Sequence, residues 1–449
     1  MNISGNIKGN LPTTLTATYK IITPMFIGDA EQNASWISPM SFKGALRFWW
    51  RALAWGRVRS KPEYNSDELA LKQLHHEEAE LFGSSADNLD KKNDKNSPKT
   101  YGRGAVTIKI TKYYVSFISK EELEDQYNAH QNSAGYALGQ GLTQYHKKQG
   151  NDPARTAYLR NAVKPNSSFT VDLMFKDIQD KELSEEEQKE LNEIIKNELK
   201  NSLLLLGLLG GLGSKNRRGL GSLTITELTG VNIPADKEQL VKFLEEIKPY
   251  GILSESPADI IVKDGEQNAW TTLKTMSHDM QMFRGWGFSF NGGTHKINGY
   301  NAEHNSYFNK QNDHDLIYQF LDSPHQSSLP SSFAFGLPRN YGLSNGGHRV
   351  EIKFEPRAKT ATGNIDKKHK RSRRASSVIT HIHQFPNGHF LSIQTIMYGK
   401  LFPDNDEVVF SRKIGRHFQE QSTVNFQGYQ SNIFDEYKKY LETKQWKLI

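Results

Sequence analysis

Cysteine is absent from this chain of 449 residues. Its absence excludes disulfides, thiolate metal sites and a cysteine nucleophile. Long apolar runs are missing as well. The richest, Leu203 to Leu209, is far too short to span a bilayer, which takes roughly 20 residues. The start, Met1-Asn2-Ile3-Ser4-Gly5-Asn6, has no charged opening followed by an apolar stretch, so no secretory signal is expected. A cytoplasmic protein with no membrane partner is the expectation. No Gly-x-Ser-x-Gly elbow, Walker A loop, dinucleotide fingerprint or paired-carboxylate motif stands out, so no catalytic residue, metal ligand or cofactor is assigned.

The composition is that of a folded protein, 36% hydrophobic and 24% charged, and long enough for two or three cores. A net charge of +7 says little by itself. Its distribution says more. Up to Arg59 there are Lys8, Lys20, Lys43, Arg47, Arg51, Arg57 and Arg59 against only Asp29 and Glu31. Lys367, Lys368, Lys370, Arg371, Arg373 and Arg374 follow Asp366 as a basic arm, expected to order only in an assembly.

Alternation and β-branching predict a strand over Thr14–Ile22. Ser41 is the expected N-cap of a helix running to about Trp55. Residues 60–104 are polar, and Asp90 to Asn96 reads as a solvated insertion. Ala105–Thr111 and Ser168–Phe175 are further strands. A capping box at Ser184 and Glu187 opens a long helix, closed by Gly210-Gly211, and Leu220–Leu228 follows as a strand. The order β-α-β-β-α-β is the ferredoxin-like (split βαβ, RRM-like) arrangement. A break at Gly230 to Pro234 divides the chain into 1–230 and 231–449. Helices are expected over Lys237–Ile247, Asp313–Leu321 and about Asn432–Lys444, and a strand over Arg349–Phe354. Ser376–Phe385 and His389–Tyr398 read as a hairpin around Pro386-Asn387-Gly388. The fold class expected is therefore α+β, two ferredoxin-like domains with insertions.

Two constellations suggest binding. Lys43, Arg47 and Arg51 recur every four residues and form one helix stripe, while Phe42, Leu46, Trp49 and Leu53 point to a core. Trp50 flanks the stripe as a stacking surface, and such a row could neutralise successive phosphates. The alternative is a solvated helix whose tryptophans are only core. The second constellation runs from Gly207 to Ser222. Gly213 and its neighbouring glycines let backbone N–H groups approach an anion, with Lys215, Arg217 and Arg218 supplying charge. The plainer alternative has the glycines capping the helix and the arginines solvated.

These residues carry a resemblance. Ile22-Thr23-Pro24-Met25-Phe26-Ile27-Gly28, the helix Ser41 to Arg51 and Asn216-Arg217-Arg218-Gly219-Leu220-Gly221-Ser222 resemble the RAMP superfamily of CRISPR proteins. Arg47-Phe48-Trp49-Trp50-Arg51 is similar, more narrowly, to first subunits of type III-B Cmr complexes. Phe333 to Pro338 and the approach from Arg373-Arg374 are also similar to that family, although Ala375-Ser376-Ser377 follows where the family usually has a proline-containing stretch. The resemblance implies ferredoxin-like domains, guide and target RNA and other Cmr subunits as partners, and capture of target RNA near the guide 3′ end. It further implies no catalysis by this chain.

Two rivals stay open. A metal- or His-dependent nuclease would use His381, His383 and His389, although exposed strand histidines are commoner than metal ligands. His278-Asp279 and His314-Asp315 are weak pairs, and His75-His76 reads as helix surface. A purely structural subunit would make the basic stripe a protein interface.

Overall fold

The computed structural model describes residues 12–449 except 30, 32, 84–103, 131, 140, 151–152, 180–182, 285–295, 298–299, 302–312, 327–328, 346–347, 360–363, 366–372, 401–405 and 426–432. The expectations at Asp90 to Asn96 and Lys367 to Arg371 lie outside the described residues. So do the side chains of His314 and Asp315.

The first unit is built from β1 (Thr13–Ile21), α1 (Pro39–Arg59), α2 (Asp67–Phe82), β2 (Val106–Tyr114), β3 (Ser168–Phe175), α3 (Glu185–Leu209) and β4 (Leu223–Leu228). Its sheet runs β2-β3-β1-β4, antiparallel throughout. That is the strand order of a ferredoxin-like unit. The register puts Ala17, Tyr19 and Ile21 beside Val171 and Phe169, one apolar face to the sheet, while Thr14, Thr16 and Thr18 take the other. The period of two fixes both faces at once.

After α4 (Lys237–Glu246), the second unit uses β5 (Asp259–Asp264), α5 (Ala269–Arg284), β8 (Val378–Gln384), β9 (Phe390–Ile396), α7 (Ile433–Thr443) and β12 (Lys447–Leu448). Its sheet runs β8-β9-β5-β12, the same order again. No sequence repeat announces this likeness. The inserted segments between α5 and β8 and between β9 and α7 supply α6 (Asp313–Asp322) and β6 (Arg339–Asn345), β7 (His348–Arg357), β10 (Glu407–Ile414) and β11 (His417–Asn425). They pair as a third antiparallel sheet, β6-β7-β10-β11, around Phe320, Phe354 and Phe410.

Two expectations need correction. Helix α1 is capped by Ser38, not Ser41, with Pro39 pre-setting its first turn. It also runs past Trp55 to Arg59, because Val58 remains buried on the same face. The polar stretch after residue 60 contains a full helix, α2, whose Ala70, Leu74, Leu81 and Phe82 are buried.

The two units share a core. The last two turns of α3, Leu203 to Leu209, are apolar on every side and fully buried, as a helix enclosed by protein all round must be. Tyr19, Ile225, Ile379 and Ile393 belong to the same cluster. Gly207 permits the approach, since a Cβ there would stand 2.5 Å from Ile225 Cβ. The edge strands β4 and β8 meet along this seam through side chains. Ser222 Oγ accepts from Ile382 N at 3.1 Å and Thr224 Oγ1 from Gln384 N at 3.1 Å. Hydroxyls thus satisfy an edge that the ladders leave open.

Candidate functional site

Helix α1 presents three faces. Phe42, Leu46 and Trp49 are buried against the sheet, and Leu53 packs beside them. Arg47 and Arg51 reach across to α2 and are only partly exposed. Arg47 Nε lies 2.6 Å and Arg51 Nη1 2.5 Å from the same oxygen, Oε1 of buried Glu78. Two guanidinium groups share one carboxylate, so the pair keeps a net positive charge. Burial and the neighbouring Arg47 both lower the Lys43 pKa.

Trp50 does not border the stripe. It is fully buried, edge-on to Phe82 with ring centroids 5.8 Å apart, and offers no face to a ligand. Arg57 is structural too. It bridges Glu77 of α2 (2.6 Å) and Glu198 of α3 (2.5 Å), which ties three helices together.

The third face of α1, Ser41, Gly44, Ala45 and Phe48, looks across a cavity of about 320 Å³ at Gly210 to Gly213, Asn216 and Arg217. The loop that closes this cavity is shaped by its own backbone. Gly221 has φ +60 and a Cβ would sit 2.0 Å from Leu212 O; Gly213 has φ +86 and a Cβ would sit 2.8 Å from Phe26 O. These two glycines serve close packing of the loop on the segment after β1. Ser214 N donating to Phe26 O and Gly221 N donating to Pro24 O fix it there, at 2.8 and 3.0 Å.

Arg217 of the loop is tied into the fold, not simply solvated. Arg217 donates from Nη1 to Ser376 O at 2.8 Å and lies over the Phe48 ring, 4.7 Å from its centroid. Its carbonyl accepts from Thr380 N at 3.0 Å, so it also pins the loop to β8. Burial, then Arg374 and Arg51, push its pKa down to about 10. Lys215 is lowered by burial and by Arg218 and Arg373. Arg374 is held in place by backbone bonds to Leu337, 2.9 Å each way.

Cations from α1, the glycine-rich loop and the 373–374 segment therefore converge. Glu78 is bound to the Arg47 and Arg51 members of this group. Like charges gathered in one place favour an anion there. Of the residues singled out in the sequence, the structure brings Arg51, Lys215, Arg217 and Arg218 together, sets Lys43 and Arg47 along the same helix and Gly213 in the loop, and encloses Trp50 in the core. Sequence reasoning missed Phe48 and Gly44, which a helical-wheel count from the cavity side would have offered. Glu78 had no local signal at all.

The strand histidines take a different place from the one expected. His381 and His383 are not exposed but buried in the seam, each 1% accessible. His381 Nδ1 donates to Gly210 O at 2.8 Å. Burial, then His383, hold the His381 pKa well down, and burial lowers His383 to about 4. Asp279 is buried as well, bonded to Lys263 and to Trp446 Nε1, and His278 faces Ser133. His75 and His76 lie on α2 as expected. Among the described residues, no three His, Asp or Glu side chains are grouped to hold a metal ion, and no helix is long and apolar enough to cross a membrane.

A ferredoxin-like unit with a glycine-rich loop between its last helix and strand, set against a basic first helix, defines the class. Residues 18–224 match the sequence model of the RAMP superfamily, which covers this unit from β1 into β4. Three solved structures are similar over nearly the whole chain. Cmr1 from Pyrococcus furiosus in its apo form is 16% identical, with a TM-score of 0.45, over 97% of this chain and 98% of that one. A chain of the type III-B Cmr-beta complex bound to cognate target RNA is 11% identical, with a TM-score of 0.44, over 96% and 100%. A chain of that complex with target RNA, AMPPnP and single-stranded DNA is 12% identical, with a TM-score of 0.43, over 97% and 99%. No curated protein matches the chain. The fold assignment itself rests on strand order and register.

Proposed function

We propose that the protein is an RNA-binding subunit of a type III-B CRISPR Cmr ribonucleoprotein complex, acting in the cytoplasm in antiviral defence. In this reading residues 1–230 and 231–449 form its two domains, and it helps capture target RNA near the guide 3′ end without cutting it. The observation that carries the reading is the convergence of Arg51, Lys215, Arg217, Arg218, Arg373 and Arg374 beside a glycine-rich loop. A polyanion that threads past would relieve that repulsion one phosphate at a time. The superfamily match over residues 18–224 supports RNA as the polyanion, and the resemblance of Arg47-Phe48-Trp49-Trp50-Arg51 to first Cmr subunits supports the narrower assignment.

Catalysis is assigned to no residue. In-line cleavage needs a base and an acid placed at the strand, or a held metal. The cleft offers guanidinium, ammonium and amide groups, which bind and position a strand. His381 and His383, the best alternative bases, are closed inside the seam.

The test is binding of labelled single-stranded RNA to the full chain at several salt concentrations. Affinity should fall linearly in log–log form, and Lys215→Ala with Arg218→Ala should flatten the slope by roughly 0.7 per lost phosphate contact. RNA should stay intact with Mg²⁺ or Mn²⁺ present. Salt-independent binding, or cleavage, would overturn the reading.

A further inference from the structure

Gly44 sits in the interior of α1, where glycine weakens a helix relative to alanine. Elsewhere in this protein such a glycine has a packing reason: at Gly207 and Gly56, neighbouring atoms stand 2.5 and 2.7 Å from where a Cβ would be. At Gly44 a Cβ would meet nothing within 4 Å. No protein atom requires its smallness. What lies in front of it is the cavity of about 320 Å³ between α1 and the glycine-rich loop.

That cavity has a definite chemistry. Ala45, Phe48 and Ile379 make apolar walls. The Ser41 hydroxyl stands at one side, and at the other Asn216, which donates Nδ2 to Gly211 O at 2.9 Å and so keeps its Oδ1 as an acceptor. Arg217 closes one end over Phe48, with the other cations just outside. The volume falls at the small end of ligand sites, roughly 300–1,000 Å³. A flat, partly apolar group with hydrogen-bonding edges, tethered to a phosphate, suits all of these features together.

From the open Gly44 wall and this lining we infer that the cavity receives one unpaired nucleobase turned out of the bound RNA strand, with Gly44 keeping the space that the base fills. The inference rests on the RNA-binding reading and adds a base site to a phosphate surface. Any larger side chain at Gly44 occupies the place of the base while leaving the cations untouched.

The experiment uses the full chain, labelled single-stranded RNA and a set of the same RNA with one abasic nucleotide moved along it. In the wild type, one abasic position should weaken binding about tenfold, within the range that a single stacked base contributes. Gly44→Leu should lose about the same factor on intact RNA, show no further loss at that abasic position, and keep the wild-type salt slope, with a thermal midpoint no lower than wild type. Gly44→Ala, with a smaller intrusion, should fall between. An even abasic profile in the wild type, or a Gly44→Leu protein that binds intact RNA as tightly as wild type, overturns the base site. In either case a normal salt slope leaves the phosphate surface standing. Absence of salt-dependent binding in the wild type overturns both.

Discussion

Arg217 is where stability and binding should pull apart. Its pKa is pushed down to about 10 by burial and by Arg374 and Arg51. A base whose folded pKa lies below its unfolded one destabilises the fold while it is protonated in both states, as Arg217 is at neutral pH; relief would come only as pH rises from about 10 through the unfolded value. After allowance for partial exposure, the shift corresponds to about 1–3 kcal/mol. Against it stand a charged hydrogen bond to Ser376 O, about 1.5–3 kcal/mol, and the contact with Phe48, about 0.5–1 kcal/mol. The two sides nearly cancel. Arg217→Met should therefore leave the thermal midpoint within a few degrees of wild type, because the loop stays tethered through the residue 217 carbonyl. RNA affinity should still fall, and the log–log salt slope should flatten by roughly 0.7. Thermal unfolding and RNA titration at three salt concentrations decide it. A protein that melts far lower but keeps the wild-type salt slope would make Arg217 a structural tether and refute the argument.

Three further outcomes follow from the packing. Acid should loosen the seam: His383 titrates near 4 when folded and nearer 6.5 when unfolded, so its contribution is complete above about 6.5 and is lost as pH falls through 4, about 3 kcal/mol in all. His381 acts in the same direction. Urea midpoints from pH 7.5 to 4 should show this, and His383→Gln should lessen the fall. Arg57→Ala should cost about 3–5 kcal/mol, since it strands Glu198, whose carboxyl burial already raises. That deficit should shrink as pH falls and Glu198 takes up a proton, and a loss that does not change with pH would contradict the ion-pair account. Trp50→Ala should cost about 3–5 kcal/mol through the cavity beside Phe82. Its RNA salt slope should match wild type, and a flattened slope would return Trp50 to the binding surface.

Much of the fold was readable because its signals are local. The capping box at Ser184 and Glu187, the strand Ser168–Phe175 and the hairpin around Pro386 to Gly388 each depend on residues a few positions apart, and each is where the sequence places it. The third sheet was harder. Its strands come from two insertions separated by β8 and β9, and short apolar runs in polar surroundings do not reveal such a pairing.

The site divides in the same way. Sequence alone determined which residues carry charge, that Lys43, Arg47 and Arg51 lie on one helix stripe, and that a glycine-rich loop joins the last helix and strand of the first unit. Helix periodicity says which side chains share a face but not what stands opposite. Only the tertiary structure brought Glu78 between Arg47 and Arg51, enclosed Trp50 against Phe82, and set Arg217 over Phe48 beside Arg374. His381 and His383 show it most plainly. Their alternation on a strand was legible, whereas their burial depends on the end of α3 and the residue that caps it, Gly207 and Gly210, which lie more than 170 residues earlier in the chain and reach them only once the two sheets close on a common core.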